Sequence, residues 1–236
     1  MSPGLEIDLQ MDLTALLRMH LSSELDMEHR HASRMRFSPS LSYGRHFGPP
    51  APTAKQAAVM VMLEANESGW TIPLTERPAH LPDHPGQISL PGGRLEPGES
   101  HLEAACREFT EELGTTTFPG ELVGELQSIY VYNSDYFVRP FVAISPGRID
   151  YVPCQREVER VIHLPVQLLM DDSRLSPQVF RRGNASWHSS TIHHDNALIW
   201  GATAIILGEF ARIMHRCQLT HSTPKTGQLS ICPAET

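Results

Sequence analysis

Cysteine is scarce and unpaired: Cys106, Cys154, Cys217 and Cys232 are the four in 236 residues, and no two form a CxxC pair. That argues against a disulfide framework and a cysteine zinc site, and fits the reduced thiols of a cytoplasmic protein. Blocks of like charge are missing as well. With 19 Lys and Arg against 27 Asp and Glu, the formal net charge is -8. This sign argues against a general affinity for nucleic acid or an anionic membrane surface, so an anionic ligand must find local basic residues or metal ions. The longest mostly apolar run, residues 197–208, is too short to span a bilayer and reads as a buried helix. Glu6, Asp8 and Asp12 stand where a secretory leader has a basic segment, so no signal peptide is expected. There is no internal repeat and no Gly-x-Ser-x-Gly nucleophile elbow. His188, His193 and His194 lack the spacing of a helical zinc site and read as surface histidines.

What the chain does have is a hydrophobic fraction of 40%, enough at this length for one packed core with terminal extensions. The expected organisation is an N-terminal helix and linker over 1–54, a catalytic domain over 55–216 and a flexible tail over 217–236. Leu13, Leu16, Leu17 and Leu21 recur at helical spacing, predicting a helix over 5–24 that packs on the domain or on a partner. Residues 25–56, rich in His, Arg, Ser and Pro, read as an irregular linker closed by Pro49, Pro50 and Pro52. Strands are expected at 57–63, 70–75, 87–90, 179–181 and 187–193, a hairpin over 122–132 and 136–144, and a short helix over 164–170. A long helix over 196–215 either completes the core or offers a homodimer contact. Strands and helices mix without regular alternation, which favours an α+β class or an α/β/α sandwich with a mixed sheet over a doubly wound one.

The most informative stretch begins at Gly92-Gly93. A glycine turn leads into a helix over 100–113, with Ser100 as N-cap, Glu103 completing a capping box and Gly114 placed to end it. Glu108, Glu111 and Glu112 are three and four residues apart, so they crowd one stripe of that helix and repel, at about 0.2–0.5 kcal/mol per pair. Arg107, four residues before Glu111, can hold that carboxylate. A hard divalent cation bound to a few carboxylates and a substrate phosphate relieves the rest of the repulsion. The glycines let backbone come close to the helix side chains or to a phosphate.

Gly93, Glu99, Arg107, Glu108, Phe109, Glu111, Glu112 and Gly114 follow the order glycine, five residues, Glu, seven residues, Arg-Glu, apolar, any, Glu-Glu, any, Gly. This resembles the signature of the Nudix hydrolases. Thr115 departs from it, standing where the family usually has an aliphatic residue. The resemblance implies an α/β/α sandwich, Mg²⁺ or Mn²⁺ as cofactor, and hydrolysis of a nucleoside diphosphate linked to another moiety. It puts Glu108 and Glu112 on the principal metal ligands and Glu111 on a third ligand or water-activating position. It also makes Arg107 the residue that orients the glutamates and Glu99 the brace between loop and helix.

The residues before that signature narrow the expectation. Leu74, Thr75, Arg77, Leu81, His84, Gly86, Pro91, Gly92 and Gly93 are similar to the motif of the coenzyme A diphosphatase branch, while Pro73, Pro78, Pro82, Leu90 and Glu96 depart from it. Pro82 replaces a basic residue suited to the 3′-phosphate of coenzyme A. Downstream, Glu157-Val158 with Leu164-Pro165, Arg181 to Trp187, and 197–213 with Trp200-Gly201 are likewise similar to that branch. The resemblance implies Arg77, His84, Gly92 and Gly93 as substrate-binding residues and Glu157 as an extra ligand or base. The implied products are 3′,5′-ADP and a 4′-phosphopantetheine species. Two alternatives stay open: a Nudix pyrophosphatase for a dinucleotide, ADP-ribose, sugar nucleotide or damaged nucleotide, and a Nudix module that senses a nucleotide without cleaving it.

Overall fold

Strand β1 (Lys55–Asn66) alternates its side chains between two cores, and the rest of the domain is arranged around that alternation. The computed structural model describes residues 3–23, 27–67, 69–82, 84–145 and 147–222. Ala57, Val61 and Leu63 face one hydrophobic core; Ala58, Met60 and Met62 face the other. Over Lys55–Glu64 β1 pairs in parallel with β7 (Tyr136–Ser145), which sends Val138, Val142 and Ile144 to the first core and Phe141 and Ala143 to the second. Both strands are therefore covered on both faces, which is why they read as apolar runs.

The other strands are antiparallel additions to this pair. At its far end β1 pairs with β2 (Gly69–Glu76), and near its start with β4 (Gly92–Arg94). β2 continues outward to pair with β3 (Ile88–Ser89) and β8 (Arg160–Pro165). β7 carries β5 (Glu121–Glu125) and β6 (Ile129–Val131) on its other edge. β5 and β6 divide the single strand expected over 122–132. The break follows from hydrogen bonding: the Gln127 amide donates to the Glu209 carboxylate (3.1 Å) instead of extending the ladder, after a bulge between Leu122 and Gly124.

Helix α3 (His101–Leu113) forms one outer layer alone. Ala104, Ala105, Phe109 and Leu113 share a face and pack into the second core. Its start has the expected capping box, Ser100 accepting from the Glu103 amide and Glu103 accepting from the Ser100 amide. Gly114 ends it in the left-handed region at φ 67°, where an added Cβ would lie 1.9 Å from the Val152 carbonyl oxygen. Gly114→Ala is expected to lower stability by more than about 1 kcal/mol, because alanine there meets both a strained φ and main chain that cannot swing away. Urea unfolding checks this; an unchanged midpoint would rule it out.

The opposite layer holds α1 (Pro3–Ser22), α2 (Met27–Met35), α4 (Val166–Met170) and α5 (Gly201–Ser222). Leu17 and Leu21 of α1 are buried in the first core, so this helix packs on the domain itself. Helix α2 corrects the reading of 25–56 as irregular. Six of its nine residues are polar, and it is held by Arg30 and Arg34, which are buried against Glu209 of α5. A three-stranded sheet of β9 (Leu175–Arg182), β10 (Ala185–His194) and β11 (Ala197–Ile199) stands beside it.

β11 takes the first residues of the helix expected over 196–215. Gly201, at φ 65°, makes the break before α5, whose apolar positions (Ile205, Leu207, Phe210 and Ile213 among them) are buried in the chain's own core. α5 runs on through 218–222, into the segment expected to be a flexible tail; residues 223–236 lie outside the described residues. The result is the α/β/α arrangement with a mixed sheet and N-terminal helices that the sequence predicts. Among the described residues no helix is long and apolar enough to cross a membrane.

Candidate active site

The turn entering β4 and the last turns of α3 meet at the edge of the sheet. Gly92, at φ 151°, passes so close to β1 that an added Cβ would lie 2.3 Å from the Ala58 carbonyl oxygen. At Gly93 an added Cβ would lie 2.4 Å from Glu108 Oε1. The second glycine thus leaves the space into which the Glu108 carboxylate fits, and the first presents its N–H to Glu112 Oε2 at 3.2 Å. This is the physical content of the glycine pair: backbone and carboxylates share one small volume.

Arg107 fixes the acidic side chains. Its Nε and Nη2 donate to Glu99 Oε1 and Oε2 at 2.8 and 3.0 Å, a bidentate pair. Nη1 donates to Glu108 Oε1 and to Glu111 Oε2, both at 3.0 Å, and Nη2 also reaches the Arg94 carbonyl at 3.1 Å. These contacts, the Glu99 bond foremost, hold its pKa well above the ordinary value. Glu99 in turn accepts from the Glu96 amide at 2.9 Å, so the loop before α3 is tied to the helix through one guanidinium.

Glu108 and Glu112 are raised above the ordinary carboxylate value, Glu112 to about 8, by burial first of all. Each also feels Glu157 as a like charge, and Glu112 feels Glu108 as well; Arg107 opposes the rise at Glu108 and Arg77 at Glu112. Residues far apart in sequence are therefore brought to one cleft: Arg77 from the end of β2, Glu157 from the turn before β8, and the α3 glutamates. Glu111 differs from its neighbours. Its side chain is 58% exposed and turned to Arg107 at the rim. His84 stands exposed at the tip of the 77–87 loop, in the left-handed region at φ 55°. The Arg77–Gln87 and Gly86–Arg77 main-chain bonds close that loop at its base (both 3.0 Å).

Among the described residues, no three His, Cys, Asp or Glu side chains converge on one ion position. The donor set nevertheless fits Mg²⁺ or Mn²⁺. Mg²⁺ is characteristically held by one or two carboxylates together with substrate phosphates and water, not by a closed protein cage. Glu108 and Glu112, two largely buried carboxylates whose pKa values are raised, suit such a half-site. Beside it lies a cavity of about 790 Å³ that reaches from Arg107 and Glu108 to Arg94 and Lys55. Neither Lys55 nor Arg94 stands out in the sequence. Lys55 comes near the signature only through the pairing of Ala57 with Arg94 between β1 and β4, which no local spacing reveals.

The glycine turn and the arginine-clamped acidic helix lie where the family signature falls, and the family match identifies the chain as a hydrolase of phosphate anhydrides. The NUDIX domain profile matches residues 54–175, and the chain belongs to that family. It is 33% identical over 161 residues to the uncharacterized Nudix hydrolase NudL of Enterobacter sp. (strain 638), covering 66% of this chain and 81% of that protein. It is 29% identical over 174 residues to Nudix hydrolase 3 of Caenorhabditis elegans, covering 67% and 72%. Among solved structures, the M. smegmatis Nudix hydrolase RenU aligns with a TM-score of 0.45 at 15% identity, over 74% of this chain and 91% of that one.

Proposed function

We propose that the enzyme cleaves the diphosphate of coenzyme A or its acyl derivatives, releasing 3′,5′-ADP and a 4′-phosphopantetheine species. The observation that carries this reading is the segment from Arg77 to Gly86, which resembles the coenzyme A diphosphatase motif. Its first residue faces Glu112 electrostatically across the cleft. Glu108 and Glu112 would hold Mg²⁺ or Mn²⁺, with Glu157 opposite as a further ligand or base. A divalent cation there supplies charge neutralisation for the diphosphate and acidifies the attacking water.

The chain's own residues do the rest. Arg107 keeps Glu108 and Glu111 in position, and Glu111 at the rim can take a proton from incoming water. Gly92 and Gly93 leave room for a phosphate beside the main chain, and Arg77 opposes the diphosphate charge. His84, exposed on the same loop, would contact the substrate. Free thiols at Cys106, Cys154 and Cys217 support a cytoplasmic setting.

The test is turnover of coenzyme A with Mg²⁺ or Mn²⁺ beside a panel of ADP-ribose, a dinucleotide and a nucleoside triphosphate. The expected result is the highest kcat/KM on coenzyme A. Much faster cleavage of any other member overturns the substrate assignment, and no cleavage of any overturns the catalytic one.

A further inference from the structure

Coenzyme A carries, besides its diphosphate, a phosphate monoester on the ribose, a dianion at neutral pH. An enzyme with net charge -8 and four glutamates around its cleft needs dedicated cations to receive it. The cations nearest the catalytic helix are largely taken up. All five N–H groups of Arg107 are bonded, to Glu99 twice, Glu108, Glu111 and the Arg94 carbonyl. Arg160 is bonded to Glu76 and Asp195, and Arg139 to Glu125. The motif position that is basic in the coenzyme A branch is Pro82 here.

Two cations beside the helix have no carboxylate partner among the described residues, and both line the cavity of about 790 Å³ that opens from Glu108. Lys55 is exposed and rests over the Tyr136 ring, 5.1 Å from its centre, so its ammonium is located without being neutralised. The Arg94 side chain is exposed, while its carbonyl is anchored by Arg107, which fixes the main chain from which the guanidinium projects. Arg94 stands opposite Ala57 in the β1–β4 ladder, two residues along β1 from Lys55. Of the two anions lining the cavity, Glu108 is bonded to Arg107, which leaves Glu96 beside the two cations, and Thr53 adds a hydroxyl.

We propose that Lys55 and Arg94 form the subsite for the substrate's phosphate monoester, the 3′-phosphate of coenzyme A, and so supply from the β1–β4 side the charge that Pro82 lacks. This assignment rests on the coenzyme A diphosphatase reading. It makes both residues determinants of specificity rather than of chemistry.

The test compares kcat/KM on coenzyme A and on 3′-dephospho-coenzyme A for the full chain, for the double variant Lys55→Gln with Arg94→Gln, and for Lys55→Arg. The unaltered enzyme is expected to prefer coenzyme A. The double variant should lose about tenfold or more of that preference, since each lost bond is to a charged group. The loss should appear in KM, and Lys55→Arg should keep most of the preference. An unaltered enzyme without preference, or a double variant that retains it, overturns the subsite while leaving the coenzyme A reading standing. An unaltered enzyme that cleaves neither compound but cleaves ADP-ribose or a dinucleotide overturns that reading, and the subsite falls with it.

Discussion

Glu112→Gln is expected to lower kcat by at least about a hundredfold, beyond what losing a partner behind a metal ligand costs. The amide keeps the shape of the side chain and can still accept from the Gly92 N–H, so packing is preserved while the negative charge is removed. Single-turnover cleavage with saturating Mg²⁺ would measure the effect; activity within a few-fold of the unaltered enzyme would remove Glu112 from the site. The same variant has a second signature in the metal-free protein. Burial lifts the Glu112 pKa from 4.5 to about 8 in the fold, so between those values the folded state holds a proton that the unfolded chain has released. Stability contributed by that proton is present at low pH and falls as pH rises through this window. With a chelator present, the melting temperature of the unaltered enzyme should fall from pH 5 to pH 9 more steeply than that of Glu112→Gln. Parallel curves would contradict the assignment. A bound cation requires the ionised form, so metal affinity should weaken on acidification below about pH 8.

The largest effect on stability is expected from Glu209→Ala, a loss of about 3–5 kcal/mol. Glu209 is wholly buried in α5. Its Oε1 accepts from Arg30 Nε at 2.8 Å and from the Gln127 amide at 3.1 Å, and Oε2 lies 3.6 Å from Arg34 Nε. Burial raises the Glu209 pKa and lowers that of Arg34, so each charge is tolerated only because the others are present. Removing the carboxylate leaves two guanidinium groups inside with fewer partners and frees α2 from α5. Urea unfolding would show the loss, and limited proteolysis should cut near α2 first. Replacing Arg30, Arg34 and Glu209 together by apolar residues of similar volume should recover much of the stability, because the desolvation of three charges is then avoided. A loss below about 1 kcal/mol for the single change would refute the account.

These two glutamates mark the limits of what the sequence discloses. Glu112 is legible because its partners are local: the glycine turn, Ser100, Glu103, Arg107 and Gly114 fall within about two dozen residues and enforce one another. Glu209 is not, since it directly follows the apolar run 197–208 and its arginines sit some 175–180 residues earlier in a polar stretch that reads as linker. The same distinction covers the strands. β1 announces itself by length and apolarity, whereas β4 has three residues, Gly-Gly-Arg, and exists only because β1 offers it an edge. β8 was hidden by Arg160 and His163, and β11 by the ambiguity of a short apolar run, which resembles helix and strand equally. Within the site, the α3 glutamates could be read from spacing, while the approach of Arg77 and Glu157 depends on where β2 ends and β8 begins.

The loop after β7 is bound to α3 by main chain. The Val152 amide donates to the Leu113 carbonyl at 3.0 Å and the Cys154 amide to the Glu112 carbonyl at 2.9 Å, just before the turn that carries Glu157. Helix end and loop therefore behave as one jaw, with its acidic teeth set at a fixed spacing by the peptide backbone. The 77–87 loop, closed at its base by the bonds between Arg77 and Gly86–Gln87, is the other jaw. If the second jaw receives the substrate, as proposed, swapping its residues should alter which molecules are gripped without resetting the spacing of the teeth.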